Sequence, residues 1–125
     1  MRIYRCNKCK NTVAFLTEKS GCTPMCCGEE MVEMKANTTD AATEKHVPVV
    51  SIDGNNVTVC VGDVEHPMLE EHYIQFVILE TNNGFFKADL KPGDKPVAKF
   101  VLPDGVVAIA AYELCNLHGL WKKEL

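Results

Sequence analysis

Five of the seven cysteines, Cys6, Cys9, Cys22, Cys26 and Cys27, fall within 22 residues near the start of the chain. No other feature so restricts how the chain can fold. A segment of about 35 residues cannot bury enough apolar surface to hold itself together; below about 40 residues a metal, a disulfide or a partner is usually needed. Cys6-Asn7-Lys8-Cys9 is a chelate turn, and a second cysteine group returns some seventeen residues later. Strands are expected between and after them, over 12–17 and 29–34. Apparent binding free energies of about 10 to 16 kcal/mol for a structural metal in such peptides close the stability gap, so a tetrahedral thiolate site is the expectation. Five thiols are offered for four positions. Cys26 and Cys27 are adjacent, unlike the second half of a zinc ribbon, and neighbouring ligands on one backbone force an irregular sulfur–metal–sulfur angle; Cys22-x-x-x-Cys26 competes with them. Four thiolates suit iron or zinc alike, which leaves a structural zinc knuckle and an iron electron-transfer centre both open.

Beyond a linker around Thr38 and Thr39, and at most one helical turn over 40–44, the pattern becomes β throughout. Runs rich in Val, Ile and Phe predict strands over 47–53, 57–61, 72–80, 85–90, 97–102 and 106–114. Asp53-Gly54-Asn55-Asn56, Asn82-Asn83-Gly84, Lys91-Pro92-Gly93-Asp94 and Pro103-Asp104-Gly105 supply the turns between them. Six short strands at this spacing, with room for a seventh, predict an antiparallel sandwich of the immunoglobulin type. The fold class is therefore all-β, a small metal-stabilised domain over 1–36 followed by the sandwich over 37–125.

All four histidines, His46, His66, His72 and His118, lie in this second part. His118 closes a Cys-x-x-His, Cys115-Asn116-Leu117-His118, with Gly119 directly after it. That motif alone is a weak signal, since it is also half of a zinc finger. Placed on the predicted strands, each candidate ligand falls outside a strand or at its end: His46 before the first, His66 in a loop, His72 opening the third, Cys115 and His118 after the last. A single such histidine is ordinarily a half-buried loop residue hydrogen-bonded to backbone. Loops on a rigid sandwich are also where binding residues sit, and four imidazoles and a thiolate gathered there exceed a closed tetrahedral zinc site. If they converge, a metal has five ligands and a sixth position that is open. Cys60 alternates away from the valines of its strand and has no expected role; Met68, Tyr73 and Trp121 are expected as packing or site walls.

Composition narrows the partners. A formal net charge of −4, with 13 scattered basic residues, argues against nucleic acid. No apolar run approaches the roughly 18 residues of a membrane span, and the start lacks a signal-peptide hydrophobic region, so a soluble cytoplasmic protein is expected. In a reducing compartment, seven cysteines favour metal ligation or redox chemistry over disulfides.

Five dispersed motifs in order, Cys6-x-x-Cys9 with Cys26-Cys27, Glu44-Lys45-His46-Val47-Pro48, His66-Pro67-Met68, His72-Tyr73-Ile74-Gln75 and Cys115-Asn116-Leu117-His118-Gly119-x-Trp121, resemble those of desulfoferrodoxin, the two-iron superoxide reductase. The resemblance spans nearly the whole chain; Cys22, and Leu120 between Gly119 and Trp121, are outside its motifs. It implies a desulforedoxin-like, rubredoxin-like first domain with one iron on Cys6, Cys9, Cys26 and Cys27, with Cys22 outside the ligand set. It implies a second iron with His46, His66, His72 and His118 in a plane and Cys115 on the axis. The implied activity is one-electron reduction of superoxide to hydrogen peroxide, with a rubredoxin-like electron donor and a homodimeric assembly. Lys45 would draw in the anion on an otherwise acidic protein, and Glu44 matches the family residue that takes the sixth position once the iron is ferric. Read apart from the neighbouring His46, Glu44-Lys45 is a solvated surface pair. Two other classes stay in view: a pure electron-transfer protein, and a zinc-dependent structural or interaction module.

Overall fold

The computed structural model describes residues 1–18 and 21–125. The chain divides into two compact units, Met1–Lys35 and Ala36–Leu125. In the first, β1 (Ile3–Arg5) is flanked by β2 (Thr12–Ala14) and β5 (Val32–Glu33), all antiparallel, and β3 (Met25–Cys26) pairs with β4 (Glu29–Glu30). Its core is small. Tyr4, Cys6 and Met31 are buried, with Phe15 and Cys26 packed on them, and the rings of Tyr4 and Phe15 meet edge to face at 5.5 Å.

The expected strand over 12–17 stops at Ala14, and the one over 29–34 is broken into β4 and β5 at Met31. The break has a local cause: the Met31 N–H still donates to the Pro24 carbonyl at 2.8 Å, in line with the β3–β4 pairing, whereas from Val32 the chain pairs with β1 instead. Strands β1 and β3, only three and two residues long, were not predicted, because runs that short carry no readable alternation.

The second unit starts with a single helical turn, α1 (Thr43–His46). Seven strands follow: β6 (Pro48–Asp53), β7 (Asn56–Val61), β8 (Ile74–Thr81), β9 (Gly84–Asp89), β10 (Val97–Val101), β11 (Ala108–Cys115) and β12 (Gly119–Glu124). They form two antiparallel sheets, in the orders β10-β7-β6 and β12-β11-β8-β9. The crossings from β7 to β8, from β9 to β10 and from β10 to β11 pass between the sheets, as in immunoglobulin-like sandwiches. Alternation produces the core directly. Val57, Val59 and Val61 of β7 point inward against Val77, Leu79, Phe100, Ala111 and Cys115, while Thr58 and Cys60 turn outward.

The strand bounds differ from expectation by one or two residues, and three differences bear on the candidate ligands. His72 does not open a strand; it forms an isolated bridge with Leu69, and β8 begins at Ile74. Cys115 is the last residue of β11 rather than beyond it. The seventh strand is β12, so His118 lies in a hairpin turn and not after the last strand. No helix among the described residues is long and apolar enough to cross a membrane.

Candidate metal centres

In the first unit the sulfur atoms of Cys6, Cys9, Cys26 and Cys27 all lie within 4.8 Å of one another. Cys9 Sγ is 3.5 Å and Cys27 Sγ 3.9 Å from Cys26 Sγ. Metal–sulfur bonds of about 2.3 Å in a tetrahedron place the sulfurs about 3.8 Å apart, so the four fit a thiolate-bound ion. Cys22 is exposed and outside the group.

The difficulty of two adjacent ligands is solved by the backbone. Cys27 and Gly28 both have positive φ, 52° and 78°, and they form the two-residue turn between β3 and β4, the type I′ geometry that such short hairpins prefer. A left-handed Cys27 swings its sulfur to the same side as that of Cys26. The Cys9 N–H donates to Cys6 Sγ at 3.4 Å and holds the Cys6 thiol down to about 6, whereas contact with the Cys9 sulfur pushes Cys27 up to about 12. Without a cation Cys6 is favoured as a thiolate while Cys26 and Cys27 hold their protons; a metal ion is what allows all four to ionise.

The second cluster gathers at one end of the sandwich, where β6, β8 and β12 begin and β7 and β11 end. The α1 turn delivers His46, the loop between β7 and β8 delivers His66 and His72, β11 ends in Cys115, and the hairpin to β12 carries His118. Gly62 allows α1 to sit close against the end of β7: a Cβ there would lie 2.6 Å from the Lys45 carbonyl carbon and oxygen.

The four imidazoles form a square. Neighbouring ring centroids, taken in the order His46, His66, His72, His118 and back to His46, are 4.7, 4.7, 4.9 and 4.9 Å apart, with neighbouring planes crossed at 74° to 87°. The diagonal from His46 to His72 is 6.4 Å. Nε2 of His66 and Nδ1 of His118 each lie 3.1 Å from Nε2 of His46. Cys115 Sγ is 3.9 Å from His118 Nδ1 and accepts the His118 backbone N–H at 3.4 Å. His46, His66, His72 and Cys115 place their ligand atoms within 4.8 Å of one another.

This arrangement makes little sense without a cation. Nδ1 of His46 and of His66 each sit 2.7 Å from a backbone carbonyl, of Ala42 and Pro67. A carbonyl only accepts, so each Nδ1 carries the proton and each Nε2 presents a lone pair. Burial holds His46, His66 and His72 below the ordinary imidazole range, His66 down to about 4, so the rings are neutral at pH 7. Two lone pairs then face each other at 3.1 Å, and Nε2 of His72 is buried with no hydrogen-bond partner. A metal at the centre of the square, with metal–nitrogen bonds of about 2.1 Å, puts adjacent nitrogens about 3.0 Å apart. The residues fit such an ion. His46 and His66 are buried, whereas His72 and His118 are half-buried, so the square has one accessible edge.

Trp121 supports two corners: its ring stacks on His46 at 4.9 Å and its Nε1–H donates to the His118 carbonyl at 3.1 Å. Lys45 and Glu44 are exposed on α1. The Lys45 charge reaches His72 and helps keep it neutral.

Sequence reasoning missed Glu113. It projects from the same face of β11 as Ala111 and Cys115, paired with Val77 on β8 and Trp121 on β12, and its position two residues before Cys115 was the available signal. Its carboxyl is fully buried, neither oxygen has a hydrogen-bond partner, and burial pushes it up to about 9. A carboxyl raised on folding takes up a proton from the unfolded value near 4.5 to the folded value near 9, so its stabilising effect is complete in acid and lost as pH rises across that window. Relative to wild type, Glu113→Gln is expected to lose a downward slope of about 1.4 kcal/mol per pH unit. Denaturant unfolding of both proteins at pH 6 and pH 8 checks it, and parallel pH dependences refute it.

The desulfoferrodoxin family model matches residues 38–124. A desulfoferrodoxin of Nitratidesulfovibrio vulgaris is 47% identical over 123 residues, covering 98% of this chain and 94% of its own. One of Syntrophotalea carbinolica is 44% identical over 124 residues, covering 99% and 96%. The crystal structure of the superoxide reductase from Treponema pallidum superposes with a TM-score of 0.82 at 35% identity, covering 98% of both chains.

Proposed function

Because this chain belongs to the desulfoferrodoxin family, we propose that it is a superoxide reductase, converting superoxide to hydrogen peroxide at an iron held by His46, His66, His72, His118 and Cys115. The supporting observation is the square of four imidazoles, three of them held below the ordinary imidazole range by burial, beside the Cys115 sulfur. Iron bound there would supply one electron to superoxide, which with two protons becomes hydrogen peroxide. As metal ligands, imidazoles bind neutral and a cysteine binds as thiolate, so a divalent cation held by these five residues would keep a net positive charge to receive an anion.

The chain's own residues set the conditions for that reaction. The Ala42 and Pro67 carbonyls fix the His46 and His66 tautomers and make both Nε2 atoms better donors. The His118 N–H tempers the charge on Cys115 Sγ. Lys45 attracts the substrate to the accessible edge, and Glu44 covers that side after the product has left. Cys6, Cys9, Cys26 and Cys27 would hold a second iron in the first unit, which would supply one-electron chemistry there, with a rubredoxin-like protein as the electron donor; we take the chain to work as a cytoplasmic homodimer.

Metal analysis and a visible spectrum, followed by pulse radiolysis of the reduced protein, test this. The expected result is two irons per chain, thiolate charge-transfer colour from both centres, and peroxide formed without evolution of dioxygen. Zinc in both centres and no reaction with superoxide would make the chain a structural module. Iron without that reaction would make it an electron carrier.

A further inference from the structure

We infer that Asn116 is a positioning residue for the metal site, clamping the His72 loop to the Cys115–His118 turn. The inference rests on the metal reading of the preceding subsection. The four histidines are held in unequal ways. His46 and His66 are anchored through their rings by carbonyls, and His118 through its backbone N–H and carbonyl, to Cys115 Sγ and from Trp121 Nε1. The His72 ring makes no hydrogen bond among the described residues, and its Nε2 is a buried atom without a partner. Its aim therefore depends on its backbone.

That backbone is held by Asn116 on both sides of His72. The Asn116 Nδ2 donates to the Glu71 carbonyl at 3.0 Å, and its Oδ1 accepts the Tyr73 N–H at 2.9 Å. The Asn116 backbone N–H donates to the Tyr73 carbonyl at 3.1 Å. The register explains the arrangement. Between Leu114 and Cys115 the β11–β8 ladder slips, from Leu114 opposite Phe76 to Cys115 opposite Ile74, which leaves Gln75 bulged and brings Tyr73 opposite Asn116. At that point the backbone of β11 must turn so that His118 can reach back over Cys115. The Asn116 side-chain amide takes the place of the next peptide, one acceptor and one donor in the positions a continuing strand would have offered. The ladder continues along the His72 loop while the chain itself turns away. Aspartate has the acceptor without the donor, and alanine has neither.

Cobalt(II)-loaded protein tests the inference without reference to turnover. Thiolate-to-cobalt absorption that disappears in Cys115→Ser identifies the second centre; its loss on adding a chelator gives a release rate, with the four-cysteine centre as internal control. Loss of an outer partner that orients a ligand typically weakens metal binding about 10- to 100-fold. Asn116→Ala is expected to release cobalt from the second centre faster by a factor in that range, to leave the four-cysteine centre unchanged, and to expose the Tyr73 amide to hydrogen exchange. Asn116→Asp, which keeps the Tyr73 contact, should protect that amide and release cobalt at an intermediate rate. Wild-type release rates in both variants, or equal acceleration at both centres, overturn the positioning role. Absence of Cys115-dependent absorption in the wild type overturns the metal reading itself, and this inference with it.

Discussion

Cys115→Ser is expected to abolish superoxide reduction and the thiolate absorption of the second centre while leaving the first centre's spectrum intact. The reasons are structural as well as electronic. Cys115 Sγ is the cysteine sulfur beside the imidazole square, and it accepts the His118 N–H; a serine hydroxyl does not ionise at neutral pH and would supply no charge comparable to that of a metal-bound thiolate. Cys115 is also 0% exposed and part of the sandwich core, so the hydroxyl enters apolar surroundings at a cost of about 1 to 3 kcal/mol. The first centre should survive because Cys6, Cys9, Cys26 and Cys27 belong to the other unit. Absorption spectra and metal content of the purified variant decide the matter. Joint loss of both centres would mean that they are not independent, and retained superoxide reduction would exclude Cys115 as the ligand that drives it.

Lys45→Ala is expected to slow the bimolecular reaction of the reduced protein with superoxide. Steering by local charge is worth about 10- to 10³-fold in on-rate, and a single exposed lysine belongs at the lower end. The protein as a whole repels the substrate, since its formal net charge is −4. Salt therefore separates the two contributions: with a screening length of about 8 Å at physiological ionic strength, added salt should slow the wild type more than the variant. If Glu44 has its proposed role, it acts after that encounter, and Glu44→Ala should leave the first encounter nearly unchanged while altering the oxidised spectrum and admitting small anions. Pulse radiolysis at several ionic strengths reads both. A silent Lys45→Ala together with a Glu44→Ala that blocks the first step would reverse the assigned roles and turn the open side toward another part of the chain.

Much of this protein is legible in the order of its residues. Cysteine spacing in a segment too short for a core demanded a metal, and alternating Val, Ile and Phe between Gly-, Asn- and Pro-rich turns specified strands, because both signals are local and repeat along the chain. The histidines and the Cys-x-x-His were visible as candidates for the same reason. The last strand was not: Gly119–Glu124 contains Lys122, Lys123 and Glu124, and only pairing with β11 makes it a strand.

The competition between Cys22 and its neighbours also lay beyond spacing, since the positive φ of Cys27 and Gly28 brings adjacent sulfurs to one side. Which nitrogen each imidazole presents depends on the carbonyls of Ala42 and Pro67, and the aim of His72 depends on an asparagine 44 positions away in sequence. Glu113 is an ordinary acidic letter until alternation and the opposite sheet enclose it. Spacing determines which donors a chain can offer. Their direction, protonation and access to water are set by groups that only folding brings within hydrogen-bond distance.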